Sequence, residues 1–504
     1  MSIFNTKNSA ILLIFFSSFS ITADEFQKSL TIYSTTTPGA PSPDLYRDTL
    51  GGENNYLVPG YAIIRDKKSF EFKEGENNVN ISDIPAFIDP TTVIFKPLSN
   101  PQTIQVLDQS YRFDLASNAK LLSKYLGQEI TVDQNIGAQI KTFQGTLLSC
   151  SGGLLLQDKS GNLTSINNYA NISYSGSTNN LALKPQLSWK INVTKSGNQT
   201  VEISYQTSGI TWWADYNATY EEVKNSAQGL LSLNAWVSIV NKTGVSYEDA
   251  KLKLIAGYVN KVRTSAAPRA MLMAMDGASK MVNNEFEEKG LFEFHLYTLN
   301  NPTTIYNDSI KQIALFKEAH KIPVKKQYIY QGNTTIYYGY LNTAPDYGKQ
   351  ENTKIDVYLK FKNSKKSGLG MPLPAGKIRV SKIDELDKSW EFIGEDIIEH
   401  IPTEEDVTIK LGSAFDIIGS RKQINFSIDE KRRLISETFE VIIKNRKEED
   451  IDVIVKENLY RWTNWQILQS SQNYQKIDSQ SIQFPVMIKK GEEAKLQYTV
   501  QYSW

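Results

Sequence analysis

The chain has 504 residues, with 55 basic and 55 acidic side chains, one cysteine and three histidines. Zero net charge means no domain-wide excess of Lys and Arg to neutralise phosphates, which argues against nucleic acid as a partner and equally against an acidic disordered chain. The single Cys150 excludes an intrachain disulfide and any multi-cysteine zinc or iron–sulfur site, and three scattered histidines leave little for a histidine-rich centre.

The first 23 residues carry Lys7, an apolar run from Ala10 to Phe19, and Ile21-Thr22-Ala23 before Asp24-Glu25. That order of charged, apolar and small residues predicts a secretory signal peptide at 1–23, too short to span a bilayer. No later apolar stretch has the length of a transmembrane helix, and no cysteine follows Ala23 to take a lipid. A periplasmic or secreted location follows as an expectation.

Beyond it the chain reads as strands. Ser117 and Gly127 bracket one short helix carrying Leu121, Leu122, Tyr125 and Leu126 on one side. Cys150 lies between apolar flanks that favour an inert thiol. Lys73-Glu-Gly75, Asp158-Lys-Ser-Gly161, Asn445 to Asp450 and Lys490-Gly-Glu492 are expected to join their flanking strands as hairpins. A Ser/Asn/Gly-rich stretch suggests a boundary near Ala182, giving an N-terminal β-rich domain at 24–182 and a C-terminal β-sandwich domain at 183–504. Val201, Ile203 and Tyr205, then Leu231, Leu233, Ala235, Val237 and Ile239, alternate with polar residues as half-buried antiparallel strands do. An Ala/Met-rich insertion at about 262–289 interrupts the pattern, as a helix or as a flexible segment. At the C-terminus Leu496, Tyr498, Val500, Tyr502 and Trp504 alternate again, as in the last strand of a water-facing sandwich or of an outer-membrane barrel; Trp504 is expected to pack on the C-terminal sheet. The fold class predicted is mainly β, with antiparallel sandwich domains.

Tyr205-Gln-Thr-Ser-Gly-Ile-Thr-Trp-Trp-Ala-Asp-Tyr216, Gly368-Leu-Gly-Met-Pro-Leu-Pro-Ala-Gly-Lys-Ile-Arg-Val380, Phe392-Ile-Gly-Glu-Asp396 and Leu411-Gly-Ser-Ala-Phe-Asp-Ile417 follow one another in that order. With Gly60 to Arg65, Ile84 to Pro90 and the ending from Tyr474, the chain resembles exported bacterial proteins labelled domain of unknown function 4139, which are akin to the mucoidy inhibitor A family. The resemblance implies an exported, mostly β protein without an assigned reaction, and no catalytic residue to carry over.

Three constellations bear on chemistry. Trp212 and Trp213 beside Asp215 and Tyr216 offer either a sugar-stacking or peptide-docking surface, or an aromatic pair filling two core layers. On a regular strand one indole points in and the other out. Glu391, Glu395, Asp396, Glu399, His400, Glu404, Glu405 and Asp406 crowd together, as a cation site or an acid/base pair, or as a solvated acidic face. Met271, Met273, Met275 and Met281 are four of the seven methionines, with thioethers suited to Cu(I) or to flexible apolar docking. Phosphate-loop, dinucleotide-loop and nucleophile-elbow motifs are missing, and no cofactor is expected. The function expected is that of an exported cell-envelope protein that binds an envelope protein or polysaccharide without catalysis. Two alternatives stand beside it: a hydrolase of an envelope glycan or peptide using a carboxylate pair such as Glu395 and Asp396, and an outer-membrane barrel.

Overall fold

The structure is a computed structural model that describes residues 27–34, 58–112, 118–137, 139–175, 184–223, 227–257, 259, 286–335, 339–348, 352–384 and 386–504. The expected signal peptide, the boundary stretch near 182 and Met271, Met273, Met275 and Met281 lie outside the described residues. Among the described residues strand makes up 67% and helix 2%, so the protein is mainly β, as expected. The one α-helix among the described residues, Asn118–Lys124, stands where the Ser117–Gly127 pattern predicts it, and Gly127 ends it at φ 78°.

The period of two becomes burial directly. In Leu434–Asn445 every second residue is buried, from Ile435 to Asn445. Such faces close into two principal cores. An eight-stranded sheet is centred on Lys28–Tyr33, which pairs parallel with Tyr247–Ala256 and antiparallel with Tyr61–Phe72. Its inner face, with Leu30, Ile64 and Leu252, shares the first core with Trp212, Leu231, Leu359 and Ile378 of a thirteen-stranded sheet. A three-stranded sheet of Gly75–Ile81, Gln186–Val193 and Ile104–Arg112 joins that core through Trp189, whose ring sits 5.2 Å from Phe95. The other part of the thirteen-stranded sheet wraps a second core built on Phe439, Val453, Phe484 and Tyr498.

The two longest strands run through both cores. Ser309–Gln331 has 23 residues and Asp406–Asp429 has 24, each about 75 Å long at roughly 3.3 Å per residue. Ser309–Gln331 changes neighbour on the way. Its residues up to Lys325 pair with Gln228–Asn241, and from Tyr328 it pairs parallel with Ile451–Asn458.

Several expectations need correction. The sandwich sheets are mixed, since three pairings are parallel. The pairing also ignores a division at 182/183: Tyr61–Phe72 and Ile88–Pro97 flank Gly197–Ser208 in one sheet. What stands apart is a five-stranded sheet over residues 129–174, with the helix and a small core of its own. It is inserted between Arg112 and Gln186, which are register partners in the three-stranded sheet. Of the four expected hairpins only the one at Asp158 to Gly161 pairs its flanking strands, Leu154–Gln157 with Leu163–Ile166. The other three connect strands that pair with different neighbours, so they are corners between faces. At Asn445 the side-chain amide bonds the carbonyls of Glu449, Ile488 and Lys489 and holds such a corner open.

Glu493–Ser503 buries Leu496, Tyr498, Val500 and Tyr502 in the second core, and Trp504 packs against it half-buried, as expected. No described helix is long and apolar enough to cross a membrane.

Candidate ligand-binding face

Ile210–Glu222 sends alternate side chains to opposite faces. Trp212 turns inward, donates its indole N–H to the Ile255 carbonyl at 3.3 Å and meets Tyr297 edge-on at 6.3 Å. Tyr216, fully buried, donates its hydroxyl to the Pro374 carbonyl at 2.7 Å, and Tyr297 reaches the Pro372 carbonyl at 3.0 Å. The buried carbonyls of Pro372 and Pro374 take their hydrogen bonds from these two phenols. Burial holds both phenol pKa values well above the ordinary range. A Cβ on Gly376 would lie 2.1 Å from the Ala214 carbonyl oxygen, so only glycine lets these two strands pair there. The motifs around Trp212 and Gly368 to Val380 are therefore one packing unit.

Trp213 faces outward but is not exposed. At 5% accessibility it is covered by Val58 and Val240, and its indole N–H donates to Asp215 Oδ2 at 2.7 Å. Of the two readings of this pair, the burial matches the aromatic pair that fills layers on both sides of the strand: both indoles are buried. Asp215 is the hub of the outer face. Ser238 also donates to its Oδ2 at 2.7 Å and receives a hydrogen bond from Gln312 at 2.9 Å. Arg379 Nη1 lies 3.5 Å from Asp215 Oδ1, while its Nε lies 3.6 Å from Glu395, which Lys377 approaches at 3.3 Å. The structure thus joins Trp213, Asp215 and Glu395 through Arg379, which the sequence reading passed over.

The half-exposed aromatic on this face is Trp236, the register partner of Asp215. One step along, Asn217 pairs with Asn234, and Asn217 is in register with Arg379 on its other side. Asn217 is exposed and Asn234 and Arg379 half-exposed; neither amide side chain bonds another described residue. The signal was available. Trp236 falls in the polar phase of its strand, with Ser232, Asn234 and Ser238, and out of phase with Leu231, Leu233, Ala235 and Val237, which fill the first core.

Asp396 and His400 belong elsewhere. Arg379 is in register with Glu395 and buried Ile378 with Asp396, so the two adjacent carboxylates take opposite faces. Asp396 accepts the Ile397 amide at 2.9 Å and the Lys410 amide at 2.7 Å, tying its strand to Asp406–Asp429. Held by different partners on opposite faces, Glu395 and Asp396 do not form the carboxylate pair of the hydrolase alternative. His400 Nδ1 accepts the Ala375 amide at 3.0 Å; desolvation, and after it His295, lowers its pKa and favours the neutral ring. Of the rest of the acidic run, Glu404 pairs with Lys362, Asp406 pairs with Lys360, and Glu391 accepts the Ser389 hydroxyl. No group of three His, Cys, Asp or Glu side chains among the described residues is arranged to hold a metal. Cys150 is a free, half-buried thiol against the small core.

Set against known proteins, the chain matches no family model and no curated protein.

Proposed function

We propose that this is an exported cell-envelope protein, periplasmic or secreted, that acts by binding, and that the outer face around Trp236 takes a polysaccharide. The observation that carries the reading is the half-exposed Trp236 beside an unbonded Asn217–Asn234 pair and the half-exposed Arg379. Sugar rings present apolar C–H faces that stack on indoles, and neighbouring hydroxyls that act as donor and acceptor together. An amide supplies both roles and a guanidinium supplies a fork of donors. Asp215 and Glu395 neutralise Arg379 and hold it in place, so an uncharged or weakly acidic glycan suits the face better than a polyanion. The segment 1–23 and the resemblance to exported β proteins without an assigned reaction support the same reading.

Affinity electrophoresis in gels cast with envelope polysaccharide fractions tests it. The wild type is expected to be retarded by at least one fraction, and Trp236→Ala with Asn217→Ala to bind at least tenfold more weakly, about 1.4 kcal/mol. Equal retardation of variant and wild type, or no retardation by any fraction, rejects the proposal.

A further inference from the structure

Where Ser309–Gln331 changes neighbour, Gln228–Asn241 ends on one side and Ile451–Asn458 begins on the other, leaving a notch beside the long strand. A cavity of about 510 Å³ occupies it, bordered by Lys325, Tyr328, Ile451, Asp452 and Ile454. That volume suits a small molecule. Most charges around it are already matched. Lys326 pairs with Glu222 and lies 3.8 Å from Glu449, Lys490 pairs with Glu448, and Asp450 accepts from Lys489 at 2.7 Å. Two are not: Lys325 and Asp452 are exposed and have no hydrogen bond or ion pair with another described residue. Extending the register of Tyr328 with Val453 by one residue sets Asp452 beside Gln327, two residues from Lys325 and on the same face. Their Cα atoms are then about 8 Å apart. Behind the notch the buried Tyr220 hydroxyl has no partner, although it lies within the electrostatic reach of Lys326, Glu222 and Glu449.

We propose that this notch binds a zwitterion of about dipeptide size, with its carboxylate on Lys325 and its ammonium on Asp452. One unmatched cation and one unmatched anion, on the face that half-buried Ile454 shares through its register with Ile329, discriminate against ligands carrying a single sign of charge, since each such ligand leaves one group unanswered. The site lies apart from the Trp236 face and does not depend on it.

Calorimetric titration of the full chain with L-alanyl-L-alanine tests the assignment. Saturable one-to-one binding is expected, weakened about tenfold when the probe is N-acetylated or C-amidated. Lys325→Glu and Asp452→Lys each weaken it by a similar factor, while the two together, which reverse the dipole, restore affinity to within a few-fold. Both positions are exposed, and unchanged melting temperatures verify that the variants fold. Absence of saturable binding to the wild type at millimolar probe, equal binding of the blocked dipeptides, or single reversals without effect overturns the proposal.

Discussion

Four charged residues lie inside the second core. Arg421 meets Glu457 at 2.9 Å and Arg461 meets Glu437 at 2.8 Å, with all four side chains at most 1% exposed. Each ion has further partners. Tyr498 donates to Glu457 at 2.7 Å, Arg421 stacks 3.8 Å over the Phe439 ring, and Arg461 binds the carbonyls of Asn342, Ala344 and Tyr347. Desolvation makes such pairs a poor source of net stability, but removing one partner strands the other in the core. Arg421 Nη2, Glu437 Oε2 and Arg461 Nε already have no partner, which leaves little to absorb a lost one. We predict that Glu457→Ala lowers unfolding stability by about 3–5 kcal/mol, measured by urea denaturation, and that Arg421→Met with Glu457→Leu costs clearly less. Equal losses from the single and double variants contradict this.

At the junction of the two cores the elements are joined by alternating charges. Lys382 of Gly376–Ile383 donates to Glu222 at 2.7 Å, Glu222 pairs with Lys326, and Glu449, in the corner after Leu434–Asn445, receives Lys447 at 3.1 Å. Burial by itself raises the Glu222 pKa, but the hydrogen bonds and charges of Lys326 and Lys382 outweigh it and bring the carboxyl from 4.5 down to about 2. The folded state therefore binds this proton more weakly than the unfolded chain. The stabilisation is fully present above about pH 4.5 and is lost as pH falls through about 2. In urea titrations over that window Glu222→Gln is expected to flatten the acid limb, with the larger loss relative to wild type at pH 6. Parallel pH profiles contradict the assignment. Partial exposure at 32% keeps the effect below that of the fully buried pairs.

At the scale of the molecule the five-stranded unit is an insertion whose ends meet at paired residues, Arg112 and Gln186. Its core is separate, with Leu122, Ile130, Val132, Leu147, Leu154, Leu156 and Ile166 buried among themselves. Replacing residues 113–185 with Asn-Gly turns Ile104–Arg112 and Gln186–Val193 into a two-residue hairpin. The shortened protein is expected to keep its β-type circular dichroism and to unfold cooperatively within a few degrees of the parent. Loss of cooperative unfolding shows that the insertion supports the main body.

Fold class, the helix at Asn118–Lys124 and the buried phase of nearly every strand are set by sequence alone, because alternation and caps are local properties of the chain. Even the buried ions are legible in that pattern: Glu437 is in phase with Ile435 and Phe439, and Glu457 with Val453 and Val455. Partnership is not local. The turn at Asp158 and the corner at Lys490 use the same residue types, yet one joins paired strands and the other does not, since the choice depends on which face each strand must cover. Likewise Glu395 and Asp396 are neighbours in sequence and lie on opposite faces, while Asp215 and Arg379, 164 residues apart, meet at 3.5 Å because their strands pair in parallel. Alternation settles which side of a strand a residue takes; only the packing of distant strands decides what it finds there.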